Sequence, residues 1–375
     1  MKKIKYNNVN LLFVGKDLNS APKIERLFSF FSNKASIHAY CILREKSNKL
    51  NSYGYKERFR FLSYFKILFL MLKVFFILVF KNDGKSELIY AVNLPAAIIG
   101  RFIIIFNKKY TLSYEAFEIN VGMTKSIYSG RFRPFWRFIE KWVIDGCGYF
   151  IATDQYRLKF LRRYYNIDKN KTYCDYIYNT RDLVKIIEEK KDDNYISACY
   201  CGGVMAGRSI DDTIIALNKT LPSLHFNIYG SVDNLYLTEI NEKFKSNGIN
   251  KINFHGRFDN SSVVSILSNE DITFSFYSSV SSNNRLASPN KLFDAMASGI
   301  LLLTSSFPLV RFLNRKGELS CIIVDNIDDI NALSSDFIYS KIRENRERRI
   351  EIIKSFNRNY SWEAMERKLE GIFIL

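Results

Sequence analysis

Short apolar runs alternate with helix-periodic stretches along almost the whole of this chain, and that alternation most constrains its fold. Successive strands running in one direction need a helical crossover between them, so a pattern of this kind builds parallel sheets. In the first half, strands are predicted at residues 9–14, 36–41, 88–92, 110–113, 149–152 and 171–176. Helical stretches fall between them, as at 23–31, 95–106 and 135–144. In the second half, strands are predicted at 196–201, 225–229, 251–254, 272–276, 300–304 and 321–324, with helices at 211–218, 232–245, 262–268 and 290–297. The class is α/β: two Rossmann-like, doubly wound domains facing a central cleft, with the ligand at the strands' carboxyl ends. Residues 179–194 (NTRDLVKIIEEKKDDN) are polar and charged, as a linker with a short helix would be.

Charge divides the chain at the same place. The 375 residues carry a formal net charge of +17. Residues 1–180 hold 31 Lys plus Arg and 13 Asp plus Glu, a net of +18, whereas the remainder holds 24 and 25, a net of −1. A basic excess points to a polyanion, either nucleic acid or an anionic membrane. Confinement to one half favours a membrane surface, because a protein gripping nucleic acid with its whole surface has no use for the asymmetry. No RNA- or DNA-binding motif is present, and no nucleic-acid partner is expected.

Residues 61–80 (FLSYFKILFLMLKVFFILVF) reach the length of a membrane span. Lys66 and Lys73, seven apart on one helical face, argue against spanning, since each would cost roughly 2.5 kcal/mol or more at the centre of a lone span. A helix packed on a sheet and a helix lying in the membrane interface both remain open. Arg58, Arg60 and Lys81 at its ends suit an anionic surface. Residues 1–17 are basic, but the apolar run 11–14 is too short for a signal peptide.

The six cysteines form no CxxC, and no His stands at metal-ligand spacing, so no zinc site and no metal-binding residues are expected. Cys199 and Cys201 alternate within a predicted strand and read as buried free thiols, which suit a cytoplasmic protein. His38, His225 and His255 lie in or beside apolar strand patterns and read as structural.

The sharpest segment is 287–299, ASPNKLFDAMASG, followed by an apolar run. Ser288 suits an N-cap and Pro289 a first helical residue. Lys291 then falls in the first turn, where the helix dipole disfavours a cation unless an anion binds there too. Asp294, three residues on, lies on the same face and could accept hydrogen bonds from ribose hydroxyls. A solvated helix start with an incidental Lys–Asp pair is the plainer alternative.

This segment resembles the donor-site signature of GT-B glycosyltransferases, especially the family 4-like bacterial enzymes that carry SPNKLFEYMAAG followed by apolar residues. The resemblance extends over most of the chain, through 88–97 (LIYAVNLPAA), 111–119 (TLSYEAFEI), 139–154 with 176–182 (YIYNTRD), 200–210 (YCGGVMAGRSI), 228–231 (IYGS), 254–260 (FHGRFDN) and 360–375. It implies an acceptor-binding, membrane-associating domain at 1–180, a donor domain at 181–357, and a terminal helix at 358–375 packing back towards the first domain.

The resemblance also implies site residues. Asp294 matches the glutamate that holds the ribose, and Lys291 and Arg208 match positions facing the diphosphate. Ser288, Asn290, Gly203 and Gly230 complete the donor loops, with Gly202 and Gly203 allowing close backbone approach. The family's E-x7-E motif is half present, because its first glutamate falls at Leu286, with Asn284 or Arg285 a small shift away. That departure leaves retention or inversion of the sugar's configuration open. Residues 114–118 (YEAFE) resemble a cleft stretch Y-D-x-H-E, making Glu118 and Glu115 the candidate bases, with Asp17 second choice.

The function so implied is a hexosyl-type transferase of bacterial surface-polysaccharide assembly, such as capsule or O-antigen. It would move a sugar from a nucleotide-diphosphate sugar to a lipid-linked or growing glycan acceptor, peripherally attached to the inner face of the cell membrane. No cofactor and no obligatory metal are expected, because Lys291, Arg208 and helix N–H groups would stabilise the leaving phosphate. Alternatives are a sugar-nucleotide epimerase of the same fold, for which histidines are few, or a non-catalytic protein binding a nucleotide sugar or nucleic acid.

Overall fold

The computed structural model describes residues 5–15, 18, 21–47, 50, 52–55, 60–81, 86–122, 128–186, 195–205, 208–232, 234–277 and 282–375. The chain divides into two compact units, residues 1–179 with 365–375, and residues 180–364.

The first unit is built on a parallel sheet of seven strands: β1 (Asn8–Gly15), β2 (Ser36–Leu43), β3 (Ser52–Gly54), β4 (Glu87–Val92), β5 (Tyr110–Ala116), β6 (Tyr149–Ala152) and β7 (Tyr173–Tyr176). They stand in the order β3-β2-β1-β4-β5-β6-β7, which reverses direction between β1 and β4. Helices cover the sheet, so its central strands are mostly apolar, and every residue of β4 is buried. Among the polar side chains buried there, Asn10 Nδ2 on β1 donates to the Glu87 carboxylate on β4 at 2.6 Å, while Asn10 Oδ1 and Ser113 Oγ have no hydrogen-bond partner among the described residues. The end of the chain is stitched to this unit. Tyr6 N–H donates to Ile374 O at 2.9 Å, and the buried Phe373 ring meets those of Phe31, Tyr90 and Tyr149 at 6.2, 5.9 and 4.8 Å.

The second unit carries six parallel strands: β8 (Ser197–Cys201), β9 (His225–Tyr229), β10 (Ile252–Gly256), β11 (Ile272–Ser275), β12 (Leu301–Ser305) and β13 (Cys321–Val324). Their order is β10-β9-β8-β11-β12-β13, with its reversal between β8 and β11. The helix Asn290–Ser298 precedes β12, and the 25-residue helix Ser335–Asn359 runs past its C-terminal Gly299, where Asn345 donates to Gly299 O at 3.0 Å.

Several features depart from the sequence reading. Strand β3 was not predicted, since three residues carry too little pattern. The stretch 180–186, read as part of a linker with a short helix, is irregular, and 187–194 lie outside the described residues. Side chains satisfy its backbone instead of a helix: Val184 N–H donates to Asn357 Oδ1 at 3.0 Å, Asn357 Nδ2 to Val184 O at 2.9 Å, and Leu183 N–H to Glu363 at 2.9 Å. Third, the donor-segment helix takes Pro289 rather than Ser288 as its cap, as described below.

The apolar segment forms the helix Arg60–Val79. Leu70, Val74 and Leu78 make its buried stripe, while Phe65, Phe69 and Phe76 face outward and are more than half exposed. Lys73 is exposed, its ammonium 5.0 Å from the Tyr53 ring centroid. Among the described residues, no helix is long and apolar enough to cross a membrane. All six cysteines are free, with Cys199 and Cys201 buried and their sulfurs 3.7 Å apart.

Candidate functional site

The second unit's site forms where β8 ends, beside the reversal of strand order. The Gly202 N–H bonds Tyr229 O at 2.9 Å, and the Gly230 N–H bonds Gly256 O at 2.7 Å, drawing three strand ends together. Gly202 and Gly230 have φ of +148° and +155°, where side chains are strained, and a Cβ on Gly230 would lie 1.8 Å from Gly202 O. A Cβ on Gly202 would lie 2.7 Å from Lys291 Nζ, so this glycine also admits the lysine. Gly203 follows, its carbonyl accepting from the Tyr200 hydroxyl at 3.2 Å.

Lys291 is the second residue of the helix Asn290–Ser298. Its ammonium donates to Cys201 O at 2.6 Å and lies 4.2 Å from the Tyr200 ring centroid. These contacts offset the unfavourable end of the helix dipole. Burial nevertheless pushes the ammonium down to about 8, with nearby Asp294 holding it up and Arg208 adding to the depression. Arg208 lies over the Tyr277 ring at 4.7 Å, just beyond the end of β11. Two cations thus sit near one another at the strands' carboxyl ends, beside a helix N-terminus, an arrangement made for an anion.

Asp294 is buried, one turn along the same helix, and forms an ion pair with Arg181 rather than with Lys291. Arg181 also donates to Asn260 O at 3.1 Å. Arg181, Tyr200 and Tyr277 were not singled out from the sequence. Arg181 lies 113 positions from its partner, and the two tyrosines are visible only as aromatics at strand ends.

The helix start corrects one expectation. Pro289, with φ −67° and ψ 140°, is the N-cap, and Asn290 is the first helical residue. Proline's fixed φ fits either position, and Ser288, as the residue before proline, is biased to extended backbone. Ser288 therefore makes no cap: its hydroxyl is buried without a hydrogen-bond partner among the described residues. Asn290 is exposed.

The candidate acids of the first unit differ from each other. Glu115, at the end of β5, is fully buried. It pairs with Lys23, itself donating to Ile177 O at 2.7 Å, and accepts from the Tyr90 hydroxyl at 2.6 Å. Both its oxygens are occupied. Glu118 is nearly half exposed, its carboxylate 3.7 Å from Arg157, which Phe117 O and Thr153 hold at 2.6 and 3.1 Å. Asp17 lies outside the described residues. A third acid, Glu140, is buried and accepts from Tyr114, Asn120 and Tyr165 at 2.8, 2.9 and 2.5 Å. Burial raises its carboxyl above the usual range while those three bonds oppose the shift. His225 is half-buried, 4.8 Å from the Tyr195 ring, and His255 stacks on Tyr229 at 4.1 Å, while His38 is exposed. Among the described residues no group of three or more His, Cys, Asp or Glu is placed to hold a metal ion.

Residues 209–360 match a family described as glycosyl transferase-like. No curated protein matches the chain by sequence. Solved structures match over nearly its whole length. HepE of Anabaena, in complex with UDP and glucose, is 13% identical with a TM-score of 0.66, over 97% of this chain and 98% of that one. Sucrose-phosphate synthase from Thermosynechococcus elongatus is 13% identical with a TM-score of 0.68, over 98% of each. WaaG, a glycosyltransferase involved in lipopolysaccharide biosynthesis, is 10% identical with a TM-score of 0.64, over 97% and 99%. The two parallel-sheet units therefore have the GT-B fold, and a glycosyl transferase-like segment spans most of the second of them.

Proposed function

We propose that the chain is a glycosyltransferase that moves a sugar from a nucleotide-diphosphate sugar to a lipid-linked or growing glycan acceptor in bacterial surface-polysaccharide assembly. The observation that carries this is the grouping of Lys291, Arg208 and the buried Asp294 at the carboxyl ends of β8 and β11. The cations and the helix N–H groups would hold the diphosphate, and Asp294 would receive the ribose hydroxyls. UDP-sugar binding by the structurally similar HepE supports a nucleotide sugar as the ligand. As the sugar leaves, charge builds on the phosphate, where fixed cations act without reorganisation. In this reading the reaction needs no metal. Glu118, reachable by solvent and flanked by a fixed arginine, is the better candidate base, while Glu115 acts through the buried cluster it holds together. The basic first unit and its exposed phenylalanines support attachment to the inner face of the cell membrane.

The test is turnover of a nucleotide-sugar panel with a lipid-linked acceptor, with and without EDTA. Nucleotide binding without turnover of any donor would sink the enzymatic reading, and loss of turnover in EDTA would sink metal independence.

Lys291 gives the donor site a pH dependence. The diphosphate binds the charged ammonium, which is full below about 8 and is lost as the pH rises through that value. Bound anion stabilises the proton, so the Kd for UDP should weaken about tenfold between pH 7 and pH 9. Lys291→Arg should flatten the profile, as titration calorimetry would show. A flat profile in the wild type would remove Lys291 from the diphosphate.

A further inference from the structure

One surface of the first unit serves none of the chemistry above. The helices Arg60–Val79, Leu94–Phe106, Arg133–Asp145 and Gln155–Tyr164 form a single layer, joined by side-chain contacts. Phe75 meets Phe106 at 5.6 Å, Phe102 meets Trp142 at 5.2 Å, and the Arg137 guanidinium lies 4.7 Å from the Tyr164 ring. Phe65, Phe69, Phe76, Phe106, Phe135 and Phe138 stand outward from it, each between 52% and 68% exposed. Six such rings on three neighbouring helices are more than the scattered apolar residues of an ordinary surface.

Cations flank them in register. Arg133, Arg137 and Lys141 recur every fourth residue, which places them on one face of their helix. With Pro134, Phe138 and Tyr164 they line a groove of about 410 Å³. Lys141 is paired with Asp145, whereas Arg133 and Arg137 are exposed. Guanidinium forks match phosphate oxygens, and the phenylalanine at the groove's edge suits the apolar chains that adjoin the phosphate of a phospholipid.

We propose that this helical layer docks on an anionic phospholipid bilayer, its phenylalanines in the interface and the Arg133–Arg137–Lys141 groove on a lipid phosphate. The excess of cations over anions in residues 1–180, 31 against 13, gives the complementary charge. The proposal rests on the membrane-attached reading above and narrows it to one surface and one headgroup site. Apolar insertion and electrostatic attraction add, so each should be separately removable.

The experiment is vesicle co-flotation of the full chain, using phosphatidylcholine with and without phosphatidylglycerol, at low and high salt. Wild type should float with the anionic vesicles and release in salt. At about fivefold per cation, Arg133→Ala with Arg137→Ala should weaken binding to anionic vesicles about 25-fold and flatten its dependence on phosphatidylglycerol. Phe135→Ser with Phe138→Ser should weaken binding to both compositions. Both double variants should keep wild-type UDP affinity, which checks folding and tests the donor site separately. The docking proposal falls if wild type ignores anionic vesicles at low salt, or if the arginine variant binds them as wild type does. It also falls if the groove binds soluble glycerol phosphate while the phenylalanine variant floats as wild type does, which would mark a free-phosphate site. A wild-type dimer that the phenylalanine variant makes monomeric would assign the face to a second copy instead.

Discussion

Replacing Asp294 by Ala should weaken UDP binding at least about 100-fold, and should destabilise the second unit as well. A carboxylate that accepts from ribose hydroxyls makes charge-assisted bonds of about 1.5–3 kcal/mol each, so losing two accounts for a hundredfold or more. The same substitution strands Arg181, whose side chain is 13% exposed and whose ion pair is with Asp294. Breaking a buried pair from one side costs about 3–5 kcal/mol, because the remaining charge stays out of water. Asp294→Asn separates the two effects. It keeps the shape and one acceptor oxygen beside Arg181, so melting should move less than for Ala, while UDP affinity still falls sharply. Calorimetric titration with UDP and thermal melting read the two quantities. A variant that binds UDP within a few-fold of wild type would remove Asp294 from the donor site.

That pairing also marks how far the sequence could be read. Lys291 and Asp294 were legible because their relation is local: three residues on a helix fix which side chains share a face. Arg181 was not, because nothing local in residues 176–182 shows what an arginine there will meet. The strands β6, β9 and β13 were bounded correctly: β6 and β13 are continuous apolar runs, and β9 alternates polar with apolar residues. The helix Ser335–Asn359 escaped because charge interrupts its apolar stripe. Ile338, Ile342, Ile352, Ile353 and Phe356 are buried among 25 residues crowded with Arg, Lys and Glu. The helix Arg60–Val79 posed the opposite difficulty. Lys66 and Lys73 mark one polar face, but the rest of its surface is apolar, and only the structure shows Leu70, Val74 and Leu78 turned inward. The cap of the donor helix was misplaced by one residue because proline satisfies both the cap and the first turn.

The first unit supplies the other large effect, and it bears on what Glu115 does. Lys23 and Glu115 are both fully buried, and burial lowers the Lys23 ammonium while Glu115 holds it up. Lys23→Met should therefore cost about 3–5 kcal/mol, leaving Glu115 with only the Tyr90 hydroxyl. For a unit of this size that is a fall in melting temperature on the order of 10 °C. Trp136 and Trp142 both lie in the first unit, so tryptophan fluorescence largely follows its transition. Adding Glu115→Gln to Lys23→Met removes the stranded charge and keeps an acceptor for Tyr90, so most of the lost stability should return. If Glu115 acts only by holding β5 to the helix Pro22–Ser32, the double variant should recover turnover along with stability. If it is the base that activates the acceptor hydroxyl, the double variant should fold well and remain inactive, because an amide cannot take the proton. The buried ion pair predicts recovery, and a stable but inactive double variant would transfer the catalytic role from Glu118 back to Glu115.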